Sequence, residues 1–194
     1  MNKKLKQIEQ FVEELFIKNP NPNLYFHNIE HTKKVVQRCK MALEELNCTE
    51  EEHFLLLSAA WLHDIGYLYT YTEHEAKSIE IAVPFLESIS LEKTVIERIQ
   101  SCIAATKIGV IPQSKLEKLL KDIDAAYGLY TNFWEKGNDI RREWALTTLL
   151  TFTDMEWIKL QLLFLKNLKM YSKYGEKHFK IIIEEWVYKI NQRY

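Results

Sequence analysis

The stretch from Phe54 to Leu62 is apolar except for Ser58, and it ends on the dipeptide His63-Asp64. Leu55, Leu56, Ala59 and Leu62 within it predict a core helix. Thr49 and Glu52 stand at capping-box spacing ahead of it, and Gly66 lies where the helix is expected to stop. His63 and Asp64 are then expected in its last turn. A helix C-terminus carries partial negative charge and free carbonyls, so a carboxylate placed there is costly unless something positive lies close. Left buried and uncompensated it costs on the order of several kcal/mol, and a bound metal is one efficient compensation.

The remaining chain reads as helix as well. Five glycines and four prolines in 194 residues leave little material for the many turns of a sheet protein. Ile8, Phe11, Val12, Leu15 and Phe16 recur at helical spacing within residues 3–18, and Asn19-Pro20-Asn21-Pro22 ends that helix. Asn28 can cap a helix reaching Leu46 whose inward stripe is His31, Val35, Cys39, Ala42 and Leu46. Further helices are predicted from about Glu75 to Ile89, from Leu91 to Thr106, and from Lys115 to Tyr130, the last with Leu116, Leu119, Leu120, Ile123 and Tyr127 inward. From Trp134 onward the pattern stays helical. A chain of this length fits one all-α domain, 1–194, divided into an N-terminal helix and turn (1–23), a core (24–130) and C-terminal helices packing on it (131–194).

Composition narrows the partners. Lys plus Arg number 26 against 27 Asp plus Glu, so the excess of positive charge expected of a nucleic-acid binder is missing from the totals. The partner expected instead is a small molecule, and self-association stays open. Cys39, Cys48 and Cys102 are odd in number, widely spaced and without a Cys-x-x-Cys pair, which argues against a disulfide framework or thiolate site and for a reducing cytoplasm. The N-terminus lacks an apolar signal core and no window approaches about 18 uncharged apolar residues, so a soluble, unprocessed chain without membrane association is expected.

Little else in the sequence suggests chemistry, so the histidines and acids carry the functional argument. His31, His63, Asp64 and Asp124 come from three different helices and are the nitrogen and oxygen donors a divalent metal would need if they converge. His27 lies four residues before His31, just outside its helix if Asn28 is the cap. Asp122 and Asp124 are two apart and cannot share one helix face, so at most one is expected as a direct ligand. Asp122 is expected either to orient a histidine or water beside the metal or to be solvated. His53 and His178 lie among charged positions and are expected to be exposed.

These residues resemble the HD-domain metal-dependent phosphohydrolases, whose pattern is a histidine on one helix, a His-Asp pair ending another and a distal aspartate on a later one. His31, His63, Asp64 and Asp124 match in order, and the second acid of the Asp-x-Asp pair is the ligand in that pattern. Tyr25-Phe26-His27-Asn28-Ile29-Glu30-His31 is similar to the opening of a subgroup of small HD hydrolases, and His74-Glu75-Ala76-Lys77-Ser78 and Ile140-Arg141-Arg142-Glu143-Trp144 follow in that subgroup's order. His74 departs from the subgroup, which more often has asparagine there. No histidine occurs in Cys102 to Lys107 to help hold a second ion, so one divalent metal (Mn, Fe, Co, Ni, Zn or Mg) is expected.

The resemblance implies an all-α HD-type bundle that cleaves a small phosphate ester, a nucleotide among the candidates, by attack of metal-bound water. Asp64 would both hold the metal and orient that water, and Glu75 with His74 would handle protons or contact substrate. His27, Lys77, Lys107 and Arg141 are the expected substrate contacts, with Arg141 and Arg142 unable to face inward together. A non-hydrolytic metal-containing nucleotide binder or sensor is the alternative. A di-iron oxygenase is a third reading, against which the missing extra histidines argue.

Overall fold

In the computed structural model, which describes residues 2–193, every regular element is helical. The elements are α1 (Asn2–Lys18), α2 (Ile29–Glu45), α3 (Glu50–Leu62), a 3-10 turn (Ile65–Leu68), α4 (His74–Ser88), α5 (Lys93–Thr106) and α6 (Lys115–Ala125). They continue with α7 (Tyr127–Tyr130), α8 (Phe133–Thr147), α9 (Asp154–Asn167), α10 (Lys173–His178) and α11 (Lys180–Arg193). The all-α expectation holds.

Helix α3 is the axis of the bundle. Every residue from Phe54 to Leu62 is buried, and α1, α2, α5 and α6 pack around it. Its start is the predicted capping box: Glu52 N–H donates to Thr49 Oγ1 at 3.2 Å and Thr49 N–H donates to Glu52 Oε2 at 2.8 Å. The inward stripes predicted for α1, α2 and α6 are the ones that pack, with Ile8, Val12, Val35, Cys39, Leu119 and Ile123 fully buried.

Three local expectations change. Helix α3 ends at Leu62, so His63 is its C-cap and Asp64, at φ −109° and ψ 4°, has already left it. Gly66 does not end that helix but sits in the 3-10 turn, against the first turn of α4. A Cβ there would stand 2.0 Å from the His74 carbonyl oxygen, so only glycine permits this approach. The predicted helix 115–130 is broken at Ala126 into α6 and α7. Three-residue bonding takes over at the break, where Leu129 N–H donates to the Ala126 carbonyl at 2.8 Å.

Candidate metal centre

Each candidate ligand is placed by a different local device. Asn28 caps α2 by accepting from Glu30 N–H at 3.0 Å and His31 N–H at 3.1 Å, which fixes His31 in the first turn with its ring inward. His63 is oriented from within its own turn, its Nδ1 lying 2.9 Å from the Ala60 carbonyl. In that contact Nδ1–H donates to the carbonyl, which leaves the Nε2 lone pair pointing away from α3. Ser78 ties the junction to α4, receiving a bond from Gly66 N–H at 2.8 Å and donating to the His63 carbonyl at 2.7 Å. Asp124 projects from the last turn of α6.

The four side chains meet. His31 Nε2 lies 3.0 Å from Asp64 Oδ2, 3.1 Å from Asp124 Oδ1 and 3.2 Å from His63 Nε2. His63 Nε2 lies 3.2 Å from Asp64 Oδ2 and 3.3 Å from Asp124 Oδ1. Among the described residues this is the only group of three or more such side chains close enough to hold an ion. Both histidines and Asp64 are buried, while the Asp124 side chain keeps 23 % of its surface exposed, so the cluster faces solvent through Asp124.

The donor set fits a divalent cation. Ligand atoms held at about 2.1 Å from an ion lie roughly 3 Å apart when adjacent, close to the separations seen. Asp64 Oδ2 is buried and forms no hydrogen bond, although two imidazoles stand beside it, and His31 Nδ1 is buried without a partner as well. Lone pairs and carboxylate charge focused on one buried point repel one another unless protons or a cation fill it.

The protonation pattern agrees. Burial works to lower the His63 pKa, but the Asp64 and Asp124 carboxylates outweigh it and raise it well above the usual value; His31 is raised in the same way. Burial works to raise both carboxylates, yet the histidines hold Asp64 well below its ordinary range and lower Asp124 too. A bound cation would replace the protons shared in this cluster.

Around the cluster lies a stack of rings. Tyr67 is sandwiched between His27 and His74, each ring centroid 3.8 Å from its own. His74 Nε2 is 3.3 Å from Glu75 Oε1 and 3.8 Å from Asp64 Oδ1. Burial lowers the His74 pKa, which favours the neutral ring. Lys107 pairs at 2.5 Å with Glu73, the residue before His74, and so lies at the rim.

Two substrate expectations receive no support from position. Arg141 pairs with Asp154 at 2.8 Å and donates to the Phe152 carbonyl, at the α8–α9 junction rather than at the cluster. Lys77 pairs with Glu80 at 2.7 Å beside the exposed Tyr69. Asp122 neither orients a histidine nor is solvated. It is buried and accepts from Tyr171 N–H at 2.9 Å and from Ser172 N–H and Ser172 Oγ at 2.7 Å, anchoring the approach to α10. His178 is half-buried against Glu45 at 2.8 Å, and His53 is also half-buried.

The residue that sequence reasoning passed over is Glu143. Fully buried, it accepts from Phe26 N–H at 2.7 Å, His27 N–H at 3.0 Å and Tyr71 Oη at 2.9 Å, and contacts His27 Nδ1. It therefore fixes the segment that carries His27 and leads into α2. The available signal was an acid between Ile140 and Trp144 on the inward face of α8. Lys121 was also passed over; its ammonium donates to the Ala105 and Lys107 carbonyls at 2.8 and 2.7 Å, capping the end of α5.

The sequence model of the HD domain matches residues 28–127, more than half of the chain and the whole span from the Asn28 cap past Asp124. The chain belongs to the HD-domain family. Members of this family are usually metal-dependent hydrolases, and the four-residue cluster is where an HD protein of this kind could hold its metal. No curated protein and no solved structure matches the chain. No helix among the described residues is long and apolar enough to cross a membrane.

Proposed function

We propose that this HD protein is a metal-dependent phosphohydrolase acting on a small phosphate ester, with one divalent metal held by His31, His63, Asp64 and Asp124. The observation that carries the reading is the convergence of four donor atoms on one point, with Asp64 Oδ2 buried there and unbonded. When bound, a divalent metal supplies Lewis acidity toward a phosphoryl oxygen and lowers the pKa of water near it.

The protein's own groups divide the remaining work. His74, kept neutral by burial and aimed at both Asp64 and Glu75, takes up or returns a proton at Nε2. Glu75, buried beside it, receives that proton or holds the ring in place. His27, clamped by Glu143 and stacked on Tyr67, offers its remaining ring nitrogen to the substrate. Lys107 at the rim can exchange Glu73 for the ester's phosphate, since an exposed pair contributes little and is readily traded. Arg141 and Lys77 have no part in this scheme.

Metal analysis of the purified protein, followed by phosphate release from a panel of small esters, tests the proposal. The expected result is one divalent metal per chain and metal-dependent release of phosphate, with both lost in Asp64→Ala. A metal-free protein whose stability is unchanged by His31→Ala would overturn the site. Tight nucleotide binding with no turnover would overturn the hydrolytic step.

A further inference from the structure

A cavity of about 480 Å³ lies between the family core and the C-terminal helices, with α5, α6 and α7 on one side and α8 and α9 on the other. That size falls within the roughly 300–1,000 Å³ typical of small-molecule sites. Phe26, Phe133, Ile140, Trp144, Trp157 and Leu160 are among the apolar residues of its wall. Ile108, Leu163 and Phe164 also line it, and they are 95 %, 57 % and 44 % exposed, so apolar surface continues to the mouth.

Several polar groups of the lining are committed elsewhere. Lys121 is spent on the carbonyls ending α5 and Lys136 pairs with Asp139 at 2.7 Å. Thr106 Oγ1 donates to Ile103 and Asn167 Nδ2 to Leu163, at 2.8 and 2.9 Å. Lys169 is an exposed cation of the lining. Gln161, only 8 % exposed, forms no side-chain hydrogen bond among the described residues, and neither do the Trp157 indole N–H and the Tyr171 hydroxyl, which line the cavity as well. The Gln161 Oε1 would stand 3.4 Å from a Cβ at Gly137, another lining residue, so the missing side chain keeps space open before this amide.

The cavity adjoins the metal centre through Phe26. The Phe26 ring lies 5.3 Å from that of His31, Ala125 directly follows Asp124, and Trp144 directly follows Glu143. We propose that this cavity takes the hydrocarbon body of the substrate whose phosphate the four-residue site handles, a phosphate monoester of a mainly apolar alcohol with one carbonyl or hydroxyl for Gln161. A sugar-rich body would bury several hydroxyls, each needing a partner, against a wall that is mainly apolar. The inference rests on the phosphohydrolase reading. In the reaction the oxygen of water bonds to phosphorus as the ester P–O bond breaks, the bond's electron pair and a proton from water go to the alcohol, and inorganic phosphate is the second product.

The test uses the full chain and two readouts. Phosphate release by the metal-loaded protein is compared for ethyl, hexyl and decyl phosphate and for nucleoside monophosphates, below micelle-forming concentrations. Binding is read without turnover from quenching of tryptophan fluorescence by 10-bromodecyl phosphate. Expected are a rise in kcat/KM of at least about tenfold from ethyl to decyl phosphate and saturable quenching. Gly137→Leu, which fills the cavity, and Leu163→Glu, at its exposed mouth and so tolerable for folding, should each lower the decyl-to-ethyl ratio and weaken quenching by at least about fivefold. Equal rates for ethyl and decyl phosphate, or preference for nucleoside monophosphates, overturn the cavity assignment and leave the phosphohydrolase reading standing. Quenching that both variants weaken, with no ester hydrolysed, supports the cavity assignment and overturns the phosphohydrolase reading instead.

Discussion

A buried carboxylate is stable only in the company it keeps, and Glu143 shows how much that company can fix. Burial works to raise its pKa, but His27 and the Phe26 and His27 amides prevail and hold it below the ordinary value. A carboxylate lowered on folding contributes stability that is present above its unfolded pKa and lost as pH falls through the folded one. Glu143→Gln keeps the size but not the charge, and is expected to cost about 1–3 kcal/mol at neutral pH. The difference from the parent protein should shrink below about pH 4.5, the ordinary carboxyl value, as the parent's own Glu143 protonates. Urea unfolding across pH 3–8 reads this; a pH-independent difference would mean that the charge is immaterial. Asp122→Ala should cost a similar amount for a different reason, leaving the Tyr171 and Ser172 amides without their acceptor. Because Asp122 points away from the cluster, metal binding by that variant, measured by calorimetry, should persist.

Elements position the site through contacts that periodicity does not encode. Helices α1, α2, α3 and α6 were legible because an apolar stripe or run needs only local spacing, and the Asn28 and Thr49 caps because they act within one turn. The four clustered side chains were legible as candidate ligands from their order and from Asp64's costly place at the end of a core helix. Glu143 was not, since its partners lie between 72 and 117 residues earlier and nothing in its own turn announces them. The partners of Arg141 were not legible for a related reason: the α8–α9 junction supplies Asp154 and the Phe152 carbonyl, and only tertiary folding brings these to it. The break at Ala126 escaped notice because Tyr127 continues the apolar spacing of α6. Gly66 tests the element scale directly. With a Cβ 2.0 Å from the His74 carbonyl, Gly66→Ala must push α4 away, at a cost of at least about 2 kcal/mol. Chemical denaturation should show that loss, with weaker metal binding because the Ser78 tie between His63 and α4 is disturbed.

For the whole molecule, the metal is expected to be part of the stability. A ligand that binds only the folded state at about 100 times its Kd adds roughly 2.7 kcal/mol, which for a domain of this size raises Tm by about 5–10 °C. Chelation should remove that increment and restored divalent metal should return it, as read by scanning calorimetry; an unchanged Tm would place the ion outside the folded core. The sign with pH follows from the histidines. Their raised pKa values mean that protons compete for the same nitrogens in the metal-free protein, so metal affinity should climb as pH rises.

The burial of α3 on all sides also fixes an order of events. His63 and Asp64 hang from the end of a helix that is completed only when α1, α2, α5 and α6 have closed around it, and His31 and Asp124 ride on two of those surrounding helices. The complete donor set therefore exists only once contacts distant in sequence have formed, and such contacts form slowly. Uptake of metal by a refolding chain should then keep pace with the formation of the core instead of preceding it, which makes the ion a clock for the last stage of folding.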